Sequence, residues 1–277
     1  MNPVINIFSY RDVSDPEDVF ILHYRKGGVI DACVADGVSG FHSPRVPNRW
    51  FRDDAGGRLT GGQAVGKILQ GRFLNPPEED SLADILLKAN ADMAAFARRH
   101  GIPLDRPDDL PAIHIAAARL REDQIDIITT GDCFAVWALR STRVGATPNL
   151  EWEFTSREQP EFQRLESLHG SREQAWTYIE ASFRQWRREL TNVTYATLNG
   201  QQGIDKLWYR TALPSPEVEA LLLFTDGFIT PEDTHDEIRM GQRVLDSYRQ
   251  RGWSAVLAAK RTKKVGEATA IAIEFQG

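Results

Sequence analysis

Three aspartates fall where strands should end. Asp36 closes the apolar run Val29-Ile30-Asp31-Ala32-Cys33-Val34-Ala35 and is followed by Gly37. Asp226 closes Leu221-Leu222-Leu223-Phe224-Thr225 and is followed by Gly227. Asp132 comes after Ile127-Ile128-Thr129-Thr130-Gly131 and opens the next apolar run. An unpaired charge at the rim of a β-core is costly to bury. Carboxylates gathered at one rim could share a cation instead, since hard divalent ions such as magnesium or manganese take oxygen ligands from carboxylates, carbonyls and water. Glycine beside such a ligand lets a carbonyl or a water approach closely. Any one Asp-Gly pair alone also reads as a plain turn. Only the set points to a metal.

The elements that must carry these residues follow from the hydrophobic pattern. Val19–Tyr24 and Val29–Ala35 read as strands joined by a turn at Arg25-Lys26-Gly27-Gly28. The stretch 41–62 is rich in Gly, Pro, Asn and Arg and reads as a loop. Helices are expected over 62–73 and 81–100; in the second, Leu82, Ile85, Leu86, Ala89, Met93 and Phe96 share a face, and Gly101 and Pro103 end it. Residues 113–139 read as strands around the turn Arg121-Glu122-Asp123. A helix at 172–190 carries Trp176, Ile179, Phe183, Trp186 and Leu190 on one side, which reads as core packing, and Arg184, Arg187 and Arg188 on the other. A strand at 218–225, a helix at 235–251 and an alternating strand at 268–275 complete the chain. Paired strands and blocks of helices make an α+β pattern, not a βαβ alternation.

The chain has 277 residues, which allows a sizeable core, and no linker divides it; one domain over 1–277 is expected. Lysine plus arginine total 33 and aspartate plus glutamate 39, so the net charge of −6 excludes a generally basic nucleic-acid binder. Cys33 and Cys133 lie in apolar runs, where a buried, reduced thiol is expected. The N-terminus lacks the basic start and long apolar stretch of a signal peptide. The longest aliphatic runs are too short to span a bilayer. A cytoplasmic protein with no membrane partner is expected.

The motifs, taken together and in order, resemble the type-2C metal-dependent serine/threonine protein phosphatases (the PPM family), in particular their bacterial members. Val34-Ala35-Asp36-Gly37-Val38-Ser39-Gly40 is similar to the family's Ala-Asp-Gly-x-Gly-Gly strand end. Gly131-Asp132-Cys133 resembles its Gly-Asp-Ser, and Leu222-Leu223-Phe224-Thr225-Asp226-Gly227-Phe228 its Leu-Leu-Ser-Asp-Gly-Leu. Glu267–Ile273 resembles its last strand, and Asp15-Pro16-Glu17-Asp18 its early Asn-Glu-Asp segment.

The resemblance implies a four-layer α-β-β-α sandwich with a metal site at one end. It implies that Asp36 bridges two manganese or magnesium ions, that Gly37 offers its carbonyl to one, and that Asp226 binds the other. Glu17 and Asp18 would reach the ions directly or through water, and Asp132 would help hold a third, weaker ion. Two cations sharing a water make a hydroxide near neutral pH, which would attack a phosphoserine or phosphothreonine phosphorus in line. The cations also offset charge building on the phosphoryl oxygens. The implied partner is a phosphorylated protein in a signalling pair with a serine/threonine kinase.

Several positions depart from the family pattern. Its last metal-binding aspartate falls here at Gly266, with Glu267 next; either Glu267 reaches the ion through a shifted strand, or the second ion is weakened. Val13 stands at the phosphate-binding arginine, leaving Arg11 as the candidate clamp beside the catalytic candidates Asp36 and Asp226. Val38 stands where some members carry a histidine acid; His42 reads as an incidental loop residue. Pro111-Ala112-Ile113-His114 replaces a Gly-Thr-Thr-like segment, and His114 reads as a strand or core residue. Residues 145–212 fall where the family carries a flap beside its active site. Lys260-Arg261-Thr262-Lys263-Lys264 reads as a solvated basic loop. The alternative function is a catalytically weak pseudophosphatase retained as a phosphoprotein-binding or regulatory module. Retention of Asp36, Asp132 and Asp226 favours the enzyme, because a module without metal chemistry has no need of clustered acids.

Overall fold

A computed structural model of the protein describes residues 3–40, 51–52, 56–229, 236–259 and 266–276. His42 and the 260–264 basic segment lie outside these residues, as does the Trp176 side chain.

One sheet contains β1 (Pro3–Arg11), β12 (Glu267–Phe275), β11 (Val218–Phe224), β8 (Phe134–Leu139) and β9 (Val144–Ala146), in that order. The other contains β10 (Tyr209–Pro214), β7 (Gln124–Thr129), β6 (Ala112–Leu120), β3 (Ile30–Val38) and β2 (Val19–Tyr24). The neighbouring strands pair antiparallel. A short ribbon, β4 (Phe51–Arg52) with β5 (Arg58–Leu59), stands apart within the stretch read as a loop.

Helices cover both outer faces. On the second sheet lie α1 (Gly61–Leu74) and α2 (Leu82–Arg99), whose Val65, Leu69, Phe73, Ile85 and Met93 pack on Cys33, Ala35, Ile113 and Ile115. Both begin with capping boxes, Thr60 with Gln63 and Ser81 with Asp84, which satisfy backbone N–H groups at the first turn. On the first sheet lie α5 (Glu237–Arg251) and α6 (Trp253–Ala259), with Met240, Val244, Tyr248 and Trp253 against Val136, Leu222 and Phe224. The chain is thus the four-layer sandwich expected. A helical hairpin, α3 (Trp152–His169) and α4 (Arg172–Leu190), occupies the middle of the 145–212 stretch, while β9 and β10 within that stretch belong to the sheets.

The strand period of two decides what faces the space between the sheets. Ala32 and Val34 of β3, Ala116 and Ala118 of β6, Leu221 and Leu223 of β11, and Ile271 and Ile273 of β12 meet there as one apolar cluster. One more step of two along each strand gives Asp36, His114, Thr225 and Thr269. The apolar interior therefore ends in polar side chains at one end of the sandwich. Both cysteines are buried and free, Cys33 under α1 and Cys133 between the sheets.

Candidate active site at the end of the sandwich

Strand β12 and the segment leading into β2 form one wall. Glu267 Oε2 accepts the backbone N–H groups of both Glu17 and Asp18, each at 2.8 Å. Arg11, the last residue of β1, lies opposite Glu267 in the register and is exposed. Asp18 is buried; its Oδ2 accepts from Thr225 Oγ1 at 2.9 Å, and Thr225 Oγ1 in turn accepts from the Thr269 N–H at 3.0 Å. Asp18 Oδ1 is buried with no hydrogen-bond partner. Glu17 Oε1 accepts from Ser39 Oγ and from the Gly62 N–H.

The floor is the end of β3. A Cβ at Gly37 would lie 2.8 Å from the Glu17 carbonyl oxygen and 3.0 Å from Gly62 Cα, so only glycine lets the three segments meet. Asp226 is exposed in the turn Asp226–Phe228 that follows β11.

Two acids on β3 show what is unusual here. Asp31 is buried, and the Arg119 guanidinium binds it through Nε at 2.6 Å and Nη2 at 2.8 Å. That is a conventional buried ion pair. Asp36 is surrounded by acids instead. Burial pushes its carboxyl well above the usual range, and the charges of Asp18, Asp226, Asp132 and Glu267 push it further. Asp18 is raised to about 8, first by burial, then by Glu267, with a smaller push from Asp226. Glu17 is raised too, mainly by burial.

Asp132 belongs to a different arrangement. His114 on β6 is buried, and its Nδ1 lies 2.8 Å from Asp132 Oδ1 and 3.5 Å from Glu151 Oε2. These ligand-capable atoms lie within 4.8 Å of one another. Among the described residues, Asp18, Asp36, Asp226 and Glu267 form no set of three that close. Burial alone would lower the His114 pKa, but Glu151 and Asp132 outweigh it and hold the imidazole at about 9. Asp132 is lowered despite its burial, because His114 stands against it. Glu151 is raised to about 8, chiefly by burial, with His114 opposing and Asp132 adding to the rise. Arg187 of α4 and Tyr195 line a small cavity with His114 and Glu151. Thus His114 is the buried strand residue expected, and it also contacts a candidate ligand. Arg187, which the helical pattern placed on a face opposite the apolar stripe, reaches this interior cluster.

Gly131 makes the arrangement possible. It has φ +59°, and a Cβ there would collide with the His114 ring. Gly131→Ala should therefore cost about 3 kcal/mol from left-handed strain plus overpacking. Chemical denaturation would read this as a lower midpoint at an unchanged slope.

Glu17, Asp18, Gly37 and Glu267 are thus joined by contacts, Asp36 feels the charges of Asp18, Asp226, Asp132 and Glu267, Arg11 is placed by its register opposite Glu267, and Asp132 faces His114. Sequence reasoning missed Glu151, Thr225 and Ser39 as partners. Thr225 had a signal, since it sits one step of two beyond Leu223. Glu151 had none, because it precedes a helix whose apolar pattern is weak.

Stp1, the serine/threonine phosphatase from Staphylococcus aureus, aligns with a TM-score of 0.61 and 14% identity, over 100% of this chain and 96% of that one. The Mycobacterium tuberculosis serine/threonine phosphatase PstP/Ppp aligns at 0.56 and 14%, over 99% of each chain. The catalytic domain of PstP, solved with two manganese ions, aligns at 0.53 and 15%, over 99% of each. The chain has the type-2C phosphatase fold. No family model and no curated protein matches it in sequence. The type-2C fold explains why strands far apart along the chain bring their terminal acids to one end. Among the described residues, no helix is long and apolar enough to cross a membrane.

Proposed function

We propose that this chain is a metal-dependent phosphoserine/phosphothreonine protein phosphatase. The observation that carries the reading is the group of acids around Asp36, each raising its carboxyl, with Asp18 Oδ1 buried and unpartnered. Such an all-oxygen donor set suits a hard divalent cation. Asp36, the Gly37 carbonyl, Asp226, Asp18 and Glu17 would hold two manganese or magnesium ions. When bound, such ions would activate water and offset negative charge on the transferring phosphoryl group.

The chain's own residues do the positioning. Glu267 fixes the Glu17–Asp18 backbone with one carboxylate oxygen. Ser39 and Gly62 orient Glu17, and Thr225 orients Asp18. Arg11, at the edge, would take phosphoryl oxygens through its planar fork. The leaving serine or threonine oxygen takes its proton from solvent. Neither cysteine serves as a nucleophile, because burial pushes both thiols far up. The substrates would be phosphorylated proteins, in opposition to a serine/threonine kinase.

The test is hydrolysis of a phosphothreonine peptide by the purified chain. Phosphate release should rise with added manganese, saturate, and stop on chelation. No release at any manganese or magnesium concentration would discard the enzyme and leave the phosphoprotein-binding module.

A further inference from the structure

The α3–α4 hairpin is joined to the rest of the molecule in an uneven way. Its outer half carries its own small apolar cluster of Phe162, Leu165, Ala175 and Ile179. Its base combines a second apolar cluster, Phe154, Leu190 and Tyr195, with ion pairs to Asp108 and Asp109. Arg184 Nη1 donates to Asp109 Oδ1 at 2.9 Å and to Asp108 Oδ2 at 3.3 Å, and Arg188 Nη2 to Asp108 Oδ2 at 2.8 Å. Glu151, the residue before α3, reaches inward to His114, and His114 reaches Asp132. The Leu150 N–H also donates to the Gly131 carbonyl at 3.1 Å, so backbone and side chains join the same two segments. Arg187, near the end of α4, lines a small cavity with His114, Glu151 and Tyr195, which brings the last turns of α4 to the same cluster.

We propose that His114 and Glu151 are positioning residues that fasten the α3–α4 hairpin to Asp132, and so set how the hairpin walls the cleft. The Nδ1 of one imidazole meets two carboxylates on separate elements: Asp132 on the turn before β8, hydrogen-bonded at 2.8 Å, and Glu151 at the start of the hairpin, ion-paired at 3.5 Å. The ring cannot shift toward Gly131, which lies against it, without a clash. Moving the hairpin base therefore pulls on Glu151, and through His114 on Asp132. The tether is a property of the chain alone. Its effect on substrate rests on the phosphatase reading above, with a phosphoprotein, larger than a free phosphate ester, as the substrate that must pass the hairpin.

The tether is tested in metal-free protein by amide hydrogen exchange across α3 and α4, with α5 on the opposite sheet as the control. Losing one charge-assisted link at a buried site should speed exchange in the hairpin about tenfold in His114→Ala, and about tenfold in Asp132→Ala. If the residues act as one chain, the double substitution is no faster than either single; independent effects would multiply to about a hundredfold and overturn the proposal. His114→Asn places an amide Nδ2 where Nδ1 was and should restore the Asp132 link, holding the change below about threefold. Equal exchange in the Asn and Ala variants, or no change in any variant, also overturns it.

The consequence for substrate is read in Glu151→Ala, with Glu151→Gln substituted if the alanine variant does not fold. KM for a phosphothreonine peptide should rise about fivefold while kcat changes less than twofold, since positioning by the wall acts on binding. A loss confined to kcat would show that the hairpin does not meet the substrate. A wild-type protein that hydrolyses nothing would remove the phosphatase reading and this consequence together, while the exchange cycle still decides whether the tether exists.

Discussion

Asp36→Asn should abolish manganese-dependent hydrolysis, by about a thousandfold or more, and at the same time make the metal-free protein harder to unfold. The loss follows from the position of Asp36 among Asp18, Asp226, Asp132 and Glu267. On the proposed reading Asp36 would serve both cations, a role that contributes several kcal/mol to transition-state charge stabilisation, and about 1.4 kcal/mol is tenfold in rate. The gain in stability has the same origin. Asparagine has nearly the same shape and no charge to be repelled, so the folded state sheds an unfavourable interaction. Asp226→Asn should share the loss of activity. Asp31→Asn makes the contrast, because there the acid has a cation. Removing its charge leaves Arg119 buried against a neutral amide, at a cost of about 3 kcal/mol. Initial rates and denaturation midpoints in chelator would separate the cases. An Asp36→Asn protein that keeps its rate, or that loses stability as Asp31→Asn does, would place the chemistry elsewhere.

Cation binding should stabilise the protein far more at pH 8 than at pH 5. Asp18, at about 8, lies above the usual carboxylate value, and Asp36 is also raised. Glu151 at about 8 and His114 at about 9 are raised as well. A group with a raised pKa binds more protons folded than unfolded. Its stabilisation is complete below the unfolded value and is lost as pH rises through the folded value. Metal-free protein should therefore lose stability steadily from about pH 5 to pH 9. Asp132 has the opposite sign, but its pKa is lowered from the usual carboxylate value, so its stabilisation is present throughout this range and is lost only in acid below about pH 4. Manganese displaces the protons that Asp18 and Asp36 otherwise hold, so it flattens this slope, and its stabilising effect grows with pH. Melting temperatures at pH 5 and pH 8, with manganese and with chelator, give the four numbers required. A difference of about 5 °C or more between the two manganese-induced shifts is expected. Equal shifts would mean that the raised acids are not the ones the ion meets.

The acids of the site were legible in the sequence because strand periodicity exposes them. Along β3, Ala32, Val34 and Asp36 share a face, so an acid closing an apolar strand must stand at its open end. Beyond β11 that face ends in Thr225, and Asp226 follows it in the turn after the strand. The ordered motifs then supplied the sandwich, with α1, α2, α4, α5 and the main strands near their expected ranges. Strand β1 was not read as one, since its alternation lies at the sheet edge, where Val4 and Ile7 stay exposed. Helix α3 was also missed: its apolar residues are sparse, and Pro160 interrupts the pattern. Strand β10 alternates only half-buried and exposed positions, which leaves little hydrophobic contrast to detect. The pairing of His114 with Asp132 and Glu151 joins three distant segments. No local pattern encodes such a contact, although the glycine before Asp132 is its mark in the sequence.

The placement of Cys33 and Cys133 has a bearing on oxidative stress. Phosphatases that attack through a thiolate are silenced when peroxide converts the sulfur to a sulfenic acid. Here both sulfurs are buried, and burial with nearby carboxylates keeps them protonated. If the chain is the phosphatase proposed above, a peroxide burst that silences thiolate-dependent phosphatases would leave its hydrolysis unchanged.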